Sequence, residues 1–165
     1  MANVRLAIAA VLAIAGAAHA ADGATYSVKL MTPETALAAA RAALEKCRAE
    51  GFQVTVAVVD RTGVTQALLR DRFAAPHTVD TAQRKAWTAV NFKANTADLD
   101  REMQPGKPAA GIRHLPNVAA IAGGRIIEAA GSLLGAIGVS GAPGPLNDET
   151  CAVAGIGAIA DSLEF

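Results

Sequence analysis

The sequence predicts an α+β fold in which helices pack on an antiparallel sheet of about five strands. Residues 54–59 and 64–69 are apolar, β-rich runs joined by Arg61-Thr62-Gly63, which predicts a hairpin. Between residues 118 and 144, glycines separate three short apolar runs, which predicts three further strands. Segments with apolar residues at helical spacing precede, separate and follow these runs. The order is therefore helix, hairpin, helix, loop, three strands and helix, within one domain.

The first 20 residues have the pattern of a secretory signal peptide. Arg5 precedes an apolar run over residues 6–18, and Ala18-His19-Ala20 offers a cleavage site of the small-x-small type. A membrane anchor is the alternative, but the run is shorter than the roughly 20 residues that span a bilayer. We expect cleavage after Ala20, a periplasmic or secreted protein with no membrane span, and a flexible polar tail over residues 21–30 before the domain at 31–165.

The first helix is predicted from its start, its apolar stripe and its end. Thr32 can cap the helix, and Pro33 suits the first helical position. Gly51 is expected to end it. The residues expected on its buried stripe are Leu37, Ala40, Leu44 and Cys47.

The middle of the chain predicts a second helix, a short third helix and a long loop. The second helix begins near Thr78, and Asn95-Thr96 suits the start of the third. Residues 104–116 hold three prolines and two glycines, which predicts a loop without regular structure. Loops of this length are often functional. The face of the second helix expected to be buried consists of Val79, Ala82, Ala86, Ala89 and Val90.

Glycines punctuate the predicted three-strand region. Gly123-Gly124 suits a two-residue hairpin turn. Residues 133–139 are apolar on both alternating faces, which is typical of a central strand that is covered on both sides. Glycine inside a strand costs stability, so its recurrence there predicts the close approach of a packed helix, with a bound ligand as the alternative. Asn147 or Asp148 is expected to cap the last helix.

Composition and charge exclude some partners and favour self-association. Loss of Arg5 with the signal peptide leaves 14 basic against 15 acidic residues. This balance offers no basic surface for nucleic acid or for anionic lipid. Alanine and glycine are abundant and aromatic residues are few, so apolar surface is expected to be buried between subunits of a homo-oligomer.

Motifs in both halves of the chain carry a family resemblance. They are Gly123-Gly124, residues 135–141, Asp148 with residues 151–156, residues 56–60 with Gly63, and residues 82–90 with Lys85-Ala86. Together they resemble the GlcG/HbpS-like family of small haem-associated proteins, which also includes the C-terminal domain of PduO. The resemblance covers about residues 31–164. It implies a profilin-like α+β fold, haem as a cofactor and a homo-oligomer.

His77 is, from its position in the sequence, the leading candidate for a contact to haem iron or to another ligand. Haem iron accepts histidine, methionine, cysteine or tyrosine as axial ligands. His77 follows a proline and precedes a helix, and Phe73 and Trp87 lie near enough in sequence to line an apolar pocket with it. It is therefore predicted as the iron ligand, and the alternative is that it only helps to cap the helix. His114 and Met103 are weaker candidates.

Basic side chains supply the predicted contacts to haem propionates or to another carboxylate, because guanidinium groups bind carboxylates in a bidentate manner. Arg84 and Lys85 are favoured, since they lie in the helix that His77 precedes. Arg113, beside His114 in the long loop, is the alternative. The competing interpretation for all of them is a solvated charged surface.

Three classes of function follow. The resemblance implies an exported haem-binding protein for haem storage, sensing or turnover. The alternative is a periplasmic accessory protein that binds a small organic acid in glycolate or diol metabolism. A hydrolase or lyase is the third class, but Asp60 is most simply a turn residue, Asp148 a helix cap, and no nucleophile elbow is present. We therefore predict no catalytic residues.

Cys47 and Cys151 are predicted to form a disulfide. Export would place them where disulfides persist, and a pair leaves no thiol over. In the expected fold the first and last helices pack side by side, which could bring the two Cα atoms within about 7 Å. The alternative is that both are small buried residues with free thiols.

Overall fold

The local signals in the sequence produce four α-helices and four β-strands. The structure is a computed structural model that describes residues 23–163, so the predicted signal peptide lies outside the described residues. The helices are α1 (Pro33–Ala49), α2 (His77–Phe92), α3 (Thr96–Glu102) and α4 (Pro145–Gly157). The strands are β1 (Thr55–Asp60), β2 (Thr65–Arg70), β3 (Gly124–Ala129) and β4 (Ser132–Ser140). Residues 23–32 contain neither helix nor strand.

The strands form an antiparallel sheet in the order β2-β1-β4-β3. This confirms the predicted α+β class, although within residues 23–163 the sheet has four strands rather than about five. The expected strand at the start of the 118–144 region does not form. Val118 and Ala120 instead pack in a cluster with Met103 below the long loop. That loop is not wholly irregular either, because Ala110–His114 is a 3-10 helix.

The hairpin turn predicted at Gly123-Gly124 does not form, because residues 118–123 are not a strand and β3 begins at Gly124. The turn between β3 and β4 lies at Ala130-Gly131. Ala129 pairs with Ser132, which leaves a two-residue loop whose φ angles are 47° and 73°. Positive φ at both positions is typical of the hairpin turn that matches strand twist. Alanine is strained in this conformation, so the turn gave a weak sequence signal.

Helices cover both faces of the sheet, as the apolar character of β4 predicted. On one face, α1 and α4 pack over a core that includes Val56, Val58 and Ile137. On the other face, α2 lies so close to β4 that a Cβ at Gly138 would be 2.1 Å from the Ala82 carbonyl oxygen. The predicted reason for glycine inside this strand, close helix packing, is thus confirmed. None of the helices within residues 23–163 combines the length and the apolar character needed to cross a membrane.

Helix α1 begins as predicted, and three of the four residues predicted on its buried stripe, Ala40, Leu44 and Cys47, are buried. The Thr32 hydroxyl accepts a hydrogen bond from the Thr35 N–H at 3.2 Å, which confirms the cap. Leu37, expected in the core, is 39% exposed. The buried positions are Ala36, Ala39, Ala40, Ala43, Leu44 and Cys47. Small residues face the core because α4 approaches α1 closely, and a large side chain would hold the two helices apart.

The predicted disulfide between Cys47 and Cys151 is present. Their Cα atoms are 5.6 Å apart, and both residues are fully buried between α1 and α4. The bond joins residues 104 positions apart in the chain. It therefore links the two terminal helices of the described domain on one face of the sheet.

Candidate ligand-binding cleft

A cleft of about 530 Å³ opens at the end of the sheet where α2 and α4 begin. This volume lies within the roughly 300–1,000 Å³ range of ligand sites. The cleft is bounded by the turn after α1, the turn before α2, the end of β4 and the start of α4. Its lining residues are Gly51, Phe52, Gln53, Phe73, Ala75, His77, Thr78, Thr81, Lys85, Ile121, Ser140, Gly141, Ala142, Pro143, Pro145 and Asp148.

His77 lies at the mouth of this cleft as the first residue of α2. It is exposed, and within residues 23–163 its imidazole has no hydrogen-bond partner. No side-chain hydrogen bond caps α2, so the alternative role of His77 as a cap is not observed. The neighbouring Thr78 is the anchored residue, because its hydroxyl bonds to Thr55 Oγ1 and to the Ala75 carbonyl, both at 2.7 Å. The imidazole is left available to a ligand.

Apolar side chains form the rim of the cleft. Phe73 lies in the turn before α2 and is 79% exposed, and Ile121 on another side is 47% exposed. Pro143 and Pro145 complete the rim at the start of α4. An aromatic ring held this far into solvent buries little of its apolar area, so an apolar ligand that covered it would be stabilised by that burial.

The floor of the cleft is a buried ion pair between Lys85 and Asp148. Lys85 Nζ donates to Asp148 Oδ2 at 2.8 Å and to the Val139 carbonyl oxygen at 2.9 Å, while Asp148 Oδ1 accepts from the Ala142 N–H at 3.0 Å. The side chains of the pair are 2% and 5% exposed. Burial raises the pKa of the Asp148 carboxyl above its ordinary value, and the Lys85 ammonium only partly opposes this effect.

Asp148 is therefore not the helix cap that the sequence predicted. Gly144 occupies the N-cap position of α4, and Pro145 is the first helical residue. Asp148 lies one turn further on, where its side chain reaches back to the Ala142 N–H and across to Lys85. The predicted cap at Asn147 or Asp148 was wrong because the glycine and proline before them already begin the helix.

Gly123 and Gly124 let the chain cross directly over this ion pair. Gly123 has φ +113°, and a Cβ there would be 2.8 Å from Asp148 Cβ and 3.0 Å from Lys85 Nζ. A Cβ at Gly124 would be 2.6 Å from the Lys85 carbonyl oxygen. The Gly123 N–H donates to Glu149 Oε2 at 2.7 Å, which fixes the crossing to α4. The Gly-Gly motif thus closes the buried side of the pair and does not form a hairpin turn.

Three polar groups on the cleft wall have unused hydrogen-bonding capacity within residues 23–163. Gln53 Oε1 is buried without a partner. The Ser140 hydroxyl makes no hydrogen bond, although the residue is only 6% exposed. Lys85 Nζ uses two of its three N–H groups. Buried polar groups are usually paired, so these atoms indicate a surface adapted to a polar ligand group.

The other predicted contacts lie in two separate pockets. Arg84 and Trp87 line a pocket of about 220 Å³, and Arg113 and His114 line one of about 290 Å³. Helix geometry explains the first separation. Residues 77, 81 and 85 repeat every four positions and share one face of α2, whereas 80, 84 and 87 share the neighbouring face. Of the predicted residues, the structure therefore brings together Phe73, His77 and Lys85.

Met103, the weaker candidate for an axial ligand, is 1% exposed in the core below the long loop. The cleft residues that the sequence did not single out are Gln53, Ser140 and Ile121. The four-residue repeat in α2 could have separated the two sets of helix residues. No local signal could have paired Asp148 with Lys85, because they lie 63 positions apart.

Known proteins share this fold and match most of the described domain. The family model for haem degrading proteins of the HbpS-like type matches residues 31–157. A double mutant of Streptomyces reticuli HbpS is 37% identical with a TM-score of 0.78, over 93% of this chain and 99% of that one. A PduOC:haem complex is 31% identical with a TM-score of 0.76, over 79% of this chain and 96% of that one.

Among curated proteins, the corrinoid adenosyltransferase PduO of Salmonella typhimurium is 35% identical over 103 residues. The match covers 61% of this chain and 31% of PduO. The chain thus spans about a third of the length of the curated relatives that it matches.

Proposed function

Because this chain belongs to the HbpS-like family, we propose that it is an exported haem-binding protein whose ligand occupies the cleft at His77. The observation that carries the proposal is the exposed His77 imidazole at the mouth of a 530 Å³ cleft, which makes no hydrogen bond to any residue that the structure describes. The PduOC:haem complex, a structural neighbour of this chain, supports the choice of ligand. Bound haem would supply an iron centre with open coordination positions.

The donor set in and around the cleft fits an axial histidine. Cys47 and Cys151 are joined to each other, and Met31 and Met103 are 6% and 1% exposed, so none of these sulfur atoms is available to iron. His77 is the histidine on the cleft lining. A neutral imidazole without a competing hydrogen bond is a suitable axial ligand.

The rest of the cleft fits the two parts of a haem molecule. The exposed ring of Phe73 and the side chain of Ile121 would pack against the apolar macrocycle. Lys85, with one N–H unused, and Ser140 would contact a propionate carboxylate. Since Asp148 already neutralises Lys85, the floor attracts a carboxylate by hydrogen bonding rather than by net charge.

Haem titration tests the proposal directly. Purified mature protein is expected to bind haemin with a Soret shift, and His77→Ala is expected to weaken this binding about tenfold or more. His114→Ala is the matched control, since His114 lies in another pocket and the substitution should leave the titration unchanged. A normal titration for His77→Ala would contradict the ligand assignment, and no Soret shift for the wild type would contradict haem binding.

The stability of the haem complex in the presence of a reductant distinguishes haem storage or sensing from haem turnover. The description of the matched family includes haem degradation. If the protein degrades haem, the Soret absorbance of the complex should decline with release of iron in the presence of oxygen and ascorbate. A stable Soret band under these conditions would favour storage or sensing.

Export and self-association are part of the proposal. The signal-peptide pattern supports export, and so does the disulfide, because such bonds persist in oxidising compartments. N-terminal sequencing of the periplasmic protein is expected to begin at Ala21. Exposed apolar residues such as Phe73, Leu146 and Val153 support a homo-oligomer. Light scattering that gave a monomer mass at micromolar concentration would contradict it.

A further inference from the structure

We propose that a second site, separate from the haem cleft, binds a small carboxylate through Arg84. This site, the Arg84 pocket, shares no lining residue with the cleft. Its volume is about 220 Å³, and its lining residues are Gly63, Thr65, Asp80, Gln83, Arg84, Trp87 and Asn117.

The guanidinium of Arg84 has a buried donor without an acceptor. Arg84 Nη2 donates to the Val118 carbonyl oxygen at 3.1 Å, and Nη1 lies 3.6 Å from Asp80 Oδ2, which is too long for a hydrogen bond. Arg84 Nε is buried and makes no hydrogen bond within residues 23–163. The Arg84 side chain as a whole is 41% exposed and lines the pocket, so its guanidinium is accessible to a ligand acceptor. A carboxylate matches the edge of a guanidinium best.

The other polar groups of the pocket are mainly donors as well. The Trp87 indole N–H has no acceptor within residues 23–163. Thr65 Oγ1 accepts from Gln83 Nε2 at 3.1 Å, so its own hydrogen is free to donate. Asn117 also lines the pocket. Asp80 is the acidic residue of the lining, and its side chain is 72% exposed, so it competes only weakly for Arg84. This arrangement favours an anion over a cation.

The size and rigidity of the pocket limit the ligand. A water molecule occupies about 30 Å³ in the liquid, so 220 Å³ admits a molecule of a few heavy atoms and excludes haem. Gly63 holds the β1–β2 turn against the indole: its φ is +90°, and a Cβ there would be 2.9 Å from Trp87 Cδ1. The part of the lining that Gly63 and Trp87 form is therefore fixed by close packing. A short monocarboxylate fits these constraints.

Trp87 provides the assay, since it is the one tryptophan of the chain. The haem-free protein is titrated with acetate at constant ionic strength, with acetamide as the uncharged isostere. We expect a saturable change of indole emission with acetate and none with acetamide. Arg84→Lys should weaken acetate binding at least tenfold, because lysine keeps the charge but loses the planar donor edge. Asp80→Asn should strengthen it several-fold by removing the competing carboxylate.

Arg41→Lys, on the exposed side of α1, is the matched control and should bind acetate like the wild type. The proposal is overturned if acetate gives no saturable change, or if Arg84→Lys binds it with unchanged affinity. It is also overturned if acetamide matches acetate, since a water-filled polar pocket would behave in that way. The acetate titration uses haem-free protein. Its outcome therefore does not depend on whether haem binds at His77.

Discussion

Lys85 and Asp148 illustrate at the level of single residues how this protein places charge in its interior. Each member of the pair is more than nine-tenths buried, and each would be strongly destabilising without the other. The hydrogen bonds from Lys85 to Val139 and from Ala142 to Asp148 complete the arrangement. The pair joins α2 to the start of α4 at the floor of the cleft, so it maintains the shape of the ligand site.

Removing one partner of this pair should be far more harmful than removing both. Lys85→Met leaves the Asp148 carboxylate buried without its cation, so we expect a loss of about 3–5 kcal/mol in the free energy of unfolding. The double variant Lys85→Met with Asp148→Leu should recover part of that loss. Urea denaturation of the two single variants and the double variant gives the coupling energy. Additive losses would contradict a direct interaction.

Asp71 is a second buried carboxylate, and its pairing with Arg48 makes the stability of the protein depend on pH. Its carboxylate is fully buried and accepts from Arg48 Nε at 2.7 Å and from Arg48 Nη2 at 2.9 Å. The Arg48 hydrogen bonds lower the pKa of Asp71 below its ordinary value of 3.8 and outweigh the opposing effect of burial. A lowered folded-state pKa contributes stability that is complete above 3.8 and is lost as the pH falls through the folded-state value.

We therefore expect the free energy of unfolding of Asp71→Asn to depend less on pH in the acid range than that of the wild type. The variant is less stable than the wild type at neutral pH, and the difference should shrink as the pH falls from 3.8 toward the lower folded-state pKa, because the unfolded chain binds the proton of Asp71 before the folded protein does. Urea denaturation over a series of pH values measures this effect. A constant difference at every pH would show that the loss comes from packing rather than from the charge.

At the level of secondary-structure elements, the contact between α2 and β4 determines the position of His77 and Lys85. The Cβ position of Gly138 lies against backbone atoms on α2, 2.1 Å from the Ala82 oxygen and 2.7 Å from the Ala86 nitrogen. Backbone cannot rotate away as a side chain can. A residue larger than glycine at 138 must displace α2 from the sheet. This displacement would also move the cleft residues His77 and Lys85, which lie on α2.

Gly138→Ala is expected to lower the free energy of unfolding by about 3 kcal/mol, because overpacking forces the backbone to shift. It should also weaken haem binding. Gly157→Ala is the matched control, since nothing lies within 4 Å of its Cβ position at the end of α4. That substitution should change stability by less than about 1 kcal/mol, in the stabilising direction. Equal effects of the two substitutions would refute the close-approach argument.

The elements that the sequence predicted well are those with local signals. Helix α1 has a capping threonine and a proline at its start, and β1 and β2 flank a turn with Gly63 at φ +90°. The hairpin predicted at Gly123-Gly124 was wrong because residues 118–123 form no strand, and the two glycines serve the close crossing over Lys85 and Asp148 instead. Leu37 was misassigned because the buried stripe runs through Ala36 and Ala40, and Leu37 lies beside that stripe.

The candidate site was less predictable because its parts come from distant segments. His77 could be found from its position before a helix, and Lys85 from the same helix. Gln53 and Ser140 are brought to them only by the sheet, in which the β1 residue Thr55 pairs with Ser140. Contacts of this separation depend on strand order, which the local patterns did not contain.

For the molecule as a whole, the Cys47–Cys151 disulfide ties together the two helices that cover one face of the sheet. A bond between residues 104 positions apart restricts most of the unfolded chain. In the chain-entropy model this contributes about 4–5 kcal/mol. It also limits how far α4, which carries Asp148, can move from α1.

Reduction of this bond should therefore lower the free energy of unfolding by about 4 kcal/mol. The comparison is urea denaturation with and without dithiothreitol, followed by Trp87 emission. The variant with both Cys47→Ala and Cys151→Ala serves as the control and should not respond to the reductant. An unchanged midpoint for reduced wild-type protein would show that packing of α1 on α4 is sufficient by itself.

The position of this disulfide also fixes an order of events during synthesis. Cys47 leaves the ribosome 104 residues before Cys151, which at about 5–20 residues per second is an interval of roughly 5–20 seconds. During that interval the first thiol has no native partner, and β1 lacks β4, its neighbour at the centre of the sheet. The nascent chain must therefore carry an unpaired thiol and an open strand until its last helix is made.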